Sequence, residues 1–102
     1  MYRIVWAFNA KAGSVKAFET AYGPEGDWAK LFRRAPGYTR TELLKDVDTA
    51  GRYLTIDHWR SCEDFWKFRE AFRGDYLALD KRLAALTVRE KLIGDFETNG
   101  AA

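Results

Sequence analysis

Tyr2-Arg3-Ile4-Val5-Trp6-Ala7-Phe8-Asn9 is the stretch that decides how this chain folds. It is short and rich in β-branched and aromatic residues, which suits a strand. Tyr2, Ile4, Trp6 and Phe8 alternate onto one face, and Val5 and Ala7 onto the other. Both faces are apolar, so both are expected to be buried. A sheet backed by helices covers only one of them. The other calls for a further layer, and 102 residues leave little chain to build it.

The segments that follow supply the backing helices and the remaining strands. Residues 10–13 form a loop, and Ser14 is placed to cap a helix bearing Val15, Phe18, Ala21 and Tyr22 at helical spacing. Gly23-Pro24 stops it. Trp28, Leu31 and Phe32 give a second apolar stripe, with Arg33 and Arg34 suited to its C-terminus. After the turn Ala35-Pro36-Gly37, residues 38–45 read as a strand. Asp46 to Gly51 is a polar turn, and residues 52–59 form the next strand of an antiparallel hairpin. Ser61 caps an aromatic helix, with Asp64 in a near capping-box position. Gly74 is expected to interrupt that helix and Asp75 to restart it. Residues 87–97 form the last strand, and the tail 98–102 is expected to fray. The order β-α-β-β-α-β defines an α+β, ferredoxin-like fold with a four-stranded antiparallel sheet, in one domain spanning residues 1–102.

Composition narrows the function classes. Seventeen Lys and Arg face fifteen Asp and Glu, and the signs alternate along the chain. That is a solvated surface rather than a basic stripe, so no nucleic-acid partner is expected. The third strand also lacks the glycine and aromatic spacing of an RNA-recognition module. Aromatic residues make up 16% of the chain, which is more than one small core needs, so a ligand pocket or a subunit interface should take the surplus. Cys62 is the single cysteine, which rules out an intrachain disulfide, and it reads as a reduced helix-start residue rather than a catalytic thiol. The N-terminus lacks the pattern of a signal peptide. No apolar run approaches the ~20 residues that span a bilayer. A cytoplasmic protein without membrane contact is expected.

The Pro36-Gly37-Tyr38 turn, the hairpin ending in Trp59-Arg60-Ser61 and the helix Phe65-Trp66-Lys67-Phe68 together resemble the antibiotic biosynthesis monooxygenases, a family of the dimeric α/β-barrel superfamily. The resemblance runs from about residue 2 to 97. It implies a homodimer in which two such sheets face each other as a barrel, which would cover the second face of the first strand. It also implies a cofactor-independent monooxygenase acting on a small aromatic or polyketide-like substrate between sheet and helices, with no cofactor and no metal. The haem-degrading members carry a Trp and a His where this chain has Phe68 and Ala78, and Asn9 lies too near its strand end for their Asn. Haem cleavage is therefore not expected. The aromatic-polyketide oxygenases carry an Asn and a Tyr where this chain has Thr55 and Phe65.

An oxygenase of this kind uses its substrate as reductant, so the protein must supply a base and oxyanion donors. The candidate catalytic residues are His58, Asp57 and Tyr76. The candidate substrate-binding residues are Arg40, with Trp6, Trp59 and Trp66 as apolar walls. Each has a structural alternative. His58 shares a mostly apolar face with Leu54 and Ile56, and a buried structural role fits it. Asp57 shares its face with Tyr53, Thr55 and Trp59, and a cross-strand Arg40 or Arg3 could pair with it. Tyr76 and Trp66 could be core residues. A second class, a non-enzymatic small-ligand-binding or assembly domain, stays open. A pocket holding His58 or Asp57 beside apolar walls distinguishes the enzyme from a filled interior.

Overall fold

The computed structural model describes residues 1–100. The elements follow the expected order: β1 (Tyr2–Ala10), α1 (Val15–Tyr22), α2 (Asp27–Phe32), β2 (Tyr38–Lys45), β3 (Arg52–Trp59), α3 (Cys62–Ala71), α4 (Arg73–Leu83) and β4 (Thr87–Glu97). The strands form one antiparallel sheet in the order β2-β3-β1-β4. The helices cover one face of it. This is the ferredoxin-like α+β fold, with each helical arm split in two.

Glycine makes two of the junctions possible. A Cβ at Gly26 would lie 2.2 Å from the Thr20 carbonyl oxygen and 2.4 Å from that of Ala21. The start of α2 can therefore press on the end of α1 only because residue 26 has no side chain. Gly37 has φ +92°, and a Cβ there would meet the Asp64 side chain at 2.6 Å. The turn into β2 is thus packed against the first turn of α3. Ser61 caps α3 as expected, its Oγ accepting from the Asp64 N–H at 3.1 Å. The Asp64 carboxylate pairs with Arg60 at 2.8 Å instead of closing the box. Ser14 precedes α1 but makes no side-chain cap. We expect Ser61→Ala to cost about 1 kcal/mol in a urea melt, and Ser14→Ala much less.

The interruption of the second helical arm falls at Phe72, with φ −113° and ψ 27°, and not at Gly74. Gly74 lies inside the first turn of α4, in open space. The bend keeps the Phe72 ring stacked 5.5 Å from that of Phe68 and beneath the Arg34 guanidinium. Tertiary packing here overrides the local glycine signal. At the C-terminus, the Thr98 N–H donates to the Met1 carbonyl at 3.0 Å and its hydroxyl accepts from Arg3 at 2.9 Å. Of the tail expected to fray, residues 101–102 lie outside the described residues.

The two faces of β1 divide as expected. Tyr2, Ile4 and Phe8 are buried against the helices. Val5 and Ala7 lie on the opposite face beside Leu54 and Ile56, and all four are only half-buried within one chain. Aromatic rings make up most of the helix-side core. Trp59 is fully buried, with the rings of Phe32, Tyr38, Phe65 and Phe68 at 5.2–5.7 Å.

A bulge in β2 matters for the site. Tyr38 pairs with Trp59 and Arg40 with His58, so one extra residue stands between them. The bulge turns Tyr38 toward the helices and Arg40 away from them, although plain alternation would put both on one face.

Candidate active site

The register across β2, β3 and β1 sets Thr41, Asp57 and Ile4 in one row on the helix face, with Thr55 and Trp6 in the next row but one along the strands. The helices do not close completely over these rows. They leave a cavity of about 110 Å³. That is somewhat below the roughly 150 Å³ of a cavity that admits benzene, and it opens to solvent at one end. Trp6, Thr41, Thr55 and Asp57 come from the sheet, and Tyr22, Trp28, Phe32 and Tyr76 from α1, α2 and α4. Phe8 completes the apolar wall, and Asp80 and Glu90 stand at the exposed rim.

Asp57 is the one buried carboxylate of the lining. It is 9% exposed, and no Lys or Arg pairs with it among the described residues. The Thr41 hydroxyl donates to its Oδ1 at 2.7 Å. Thr41 has a single proton, so Tyr38, 2.8 Å away, must donate to Thr41. The result is a relay from Tyr38 through Thr41 to Asp57. Burial raises the Asp57 carboxyl to about 6, opposed only by the Thr41 hydrogen bond. A carboxylate poised there is mostly ionised at neutral pH and yet basic enough to take a proton. Burial also pushes the Tyr76 hydroxyl upward, and the Tyr22 hydroxyl to about 12. Both stay protonated at neutral pH and can serve as donors. The Trp28 indole N–H is buried without a hydrogen-bond partner.

Of the residues singled out in the sequence, Asp57, Tyr76 and Trp6 come together in the cavity. The others do not. His58 is buried on the opposite sheet face, its Nε2 2.6 Å from the Glu42 carboxylate. Strand alternation separates it from its neighbour Asp57. Arg40 lies on that face too, 3.6 Å from Glu42, so neither Arg40 nor Arg3 can be the partner of Asp57; Thr41 takes that place. Trp59 is sealed in the core beside the cavity instead of lining it. Trp66 is 56% exposed on α3, under Arg69, and is neither core nor wall. Gly74 and Asp75 do not line the cavity.

The residues missed were the walls Tyr22, Trp28 and Phe32, which read as ordinary helix stripes, and the rim carboxylates. Asp80 stands one helical turn after Tyr76, and that spacing was a usable signal. Glu90 comes from the far edge strand, opposite Phe8, with no local signal at all. The described residues contain no group of three or more His, Cys, Asp or Glu side chains arranged to hold a metal ion. Position 78, where the haem-degrading pattern needs its His, is an exposed alanine.

The sequence pattern of the family described as antibiotic biosynthesis monooxygenase matches residues 1–73. No curated protein sequence matches the chain. Among solved structures, it is similar to SnoaB, a cofactor-independent oxygenase from Streptomyces nogalater, at 20% identity and TM-score 0.73, covering 98% of this chain and 94% of that one. A Deinococcus radiodurans protein described as a candidate antibiotic biosynthesis monooxygenase aligns at 19% identity and TM-score 0.75, over 100% and 96% of the two chains. A MhuD variant with two manganese protoporphyrin IX molecules per active site aligns at 21% identity and TM-score 0.68, over 100% and 98%. At these identities the likeness carries the fold alone.

Proposed function

The chain belongs to the antibiotic biosynthesis monooxygenase family, and from that premise we propose that it is a cofactor-independent monooxygenase acting on a small aromatic substrate held in the pocket above Asp57. The observation that carries this reading is Asp57 itself, a buried carboxylate without a counter-ion beneath an aromatic-walled cavity. An unpaired buried charge costs stability, and such groups concentrate at working sites.

In this reading the Asp57 carboxylate takes a proton from an activated C–H or O–H of the substrate. The resulting electron-rich anion reduces O₂ and forms a C–O bond, giving a hydroperoxide once a proton is added. At a CH₂ carbon, loss of water then leaves a carbonyl, so that R₂CH₂ and O₂ give R₂CO and H₂O. Thr41 holds the carboxylate in place, and the Tyr76 hydroxyl is a donor for the developing oxyanion. Trp6, Trp28 and Phe32 exclude water and stack the ring.

The test is oxygen uptake with phenolic, polyphenolic and anthrone-like compounds, without added flavin, haem or metal. Uptake matched by an oxygenated product is expected with at least one of them. The reading fails if the panel is inert while the folded protein binds its members.

The uncovered apolar face of the sheet supports a homodimer through that face. Ile56 lies near its centre, paired with Val5 and Glu42. The parent protein is expected to sediment as a dimer at micromolar concentration, and Ile56→Glu as a monomer, because a carboxylate there would stand directly opposite Glu42 in the apolar seam. A monomeric parent at that concentration overturns the assembly.

A further inference from the structure

We infer that the ligand of this pocket carries a protonated or quaternary nitrogen beside its aromatic ring, a reading that rests on the pocket being the substrate site. Three carboxylates, Asp57, Asp80 and Glu90, border the cavity, and no Lys or Arg lines it. Among the described residues none of the three makes a salt bridge. Elsewhere on this surface, acidic groups are commonly paired, as Asp27 is with Arg82, Asp75 with Arg34 and Asp64 with Arg60. Other carboxylates, such as Asp48, Glu70 and Glu97, also lack a salt bridge, but among the described residues only around the cavity do three unpaired ones border one enclosed space.

The walls point the same way. Trp6, Trp28 and Tyr76 line the cavity, and aromatic rings attract cations through the ring quadrupole, Trp most strongly. One wall ring already stacks a cation: the Arg69 guanidinium lies 4.1 Å from the Tyr76 centroid, although Arg69 itself does not line the cavity. Burial and the neighbouring Asp80 both push the Glu90 carboxyl upward, as expected where two carboxylates face each other without a cation between them.

The proposed chemistry sharpens the point. Removing a proton from a neutral substrate would create an anion in a field already negative. An ammonium group on the substrate, near Asp80 and Glu90, would offset that charge and leave a zwitterion. An anionic ligand would meet repulsion at both the rim and the floor. Asp57 forms the floor of the cavity, and its only hydrogen bond to a side chain comes from a neutral hydroxyl.

The test uses three one-ring probes of matched size at pH 7.5: benzylammonium, benzyl alcohol and benzoate. Binding is read from the indole N–H resonances of Trp6 and Trp28. Benzylammonium is expected to bind roughly tenfold more tightly than benzyl alcohol, and benzoate most weakly. Asp80→Asn combined with Glu90→Gln should remove most of that preference by weakening benzylammonium binding far more than benzyl alcohol binding. Both residues are exposed, so the fold should survive, and a circular dichroism melt checks it. If benzyl alcohol or benzoate shifts the same resonances at equal or lower concentration, the charge inference is overturned and the pocket reading stands. If no probe shifts them, the pocket reading fails and takes the charge inference with it.

Discussion

Replacing Asp57 by Asn is expected to lower oxygen uptake by about 10²- to 10⁴-fold, the usual contribution of a general base, while making the protein more stable at neutral pH. The two effects have one cause. Burial holds the Asp57 carboxyl near 6 instead of its ordinary 3.8, so the folded state binds this proton more tightly than the unfolded state does. The stability associated with this group is therefore fully present below about pH 4, falls as pH rises through about 6, and stays low above that. Two pKa units correspond to about 3 kcal/mol. The Asn variant should lack this slope. It should exceed the parent by up to that amount at pH 7.5 and match it at pH 4, because the amide oxygen can still accept from Thr41. Denaturant melts at the two pH values measure the difference. An Asn variant that keeps full activity, or that loses stability at pH 7.5, removes Asp57 from the role given to it here.

Trp59→Ala should be the most damaging substitution in the core. The side chain is fully buried, with four aromatic rings packed around it. Truncation of a buried Trp costs about 3–5 kcal/mol, a large share of the roughly 5–15 kcal/mol that holds a domain together. Phe32 touches Trp59 on one side and lines the cavity on the other. The hole left by Ala should therefore also loosen the pocket wall. Trp59→Phe should cost much less than its lost volume suggests. The indole N–H is buried without a hydrogen-bond partner, and removing an unsatisfied donor recovers part of the loss. Urea midpoints of the two variants separate the effects. An Ala variant within about 1 kcal/mol of the parent would contradict the packing role.

The fold was legible because its signals are local and repeated. Tyr2, Ile4, Trp6 and Phe8 keep their period of two in the sheet, and Phe18 and Tyr22 keep their helical spacing against it. Punctuation by Gly23-Pro24 and Pro36-Gly37 marks real ends. The site was legible only in part. Asp57 stood out as an ionisable group sharing a strand face with Tyr53, Thr55 and Trp59, and Tyr76 as a polar group on an apolar helix stripe. His58 stood out on a mostly apolar strand face, yet alternation sends it through the sheet to the side away from the cavity. Arg40 was misplaced by the bulge in β2, which no residue pattern in Tyr38-Thr39-Arg40 announces. Trp66 kept helical spacing with its neighbours but faces solvent, because the stripe on α3 is narrower than its run of aromatic residues suggests.

By itself, the sequence determined the order of strands and helices, the two apolar faces of β1, and the surplus of aromatic surface beyond one core. These follow from short-range periodicity and composition, which need no knowledge of what touches what. Only the tertiary structure decided which aromatics line a cavity and which fill the core, and that Thr41 rather than an arginine holds Asp57. It alone brought Glu90, on the edge strand β4 opposite Phe8, to the rim beside Asp80. A pocket is made of surfaces from elements distant in sequence, and its charge balance is the sum of groups that no local pattern connects.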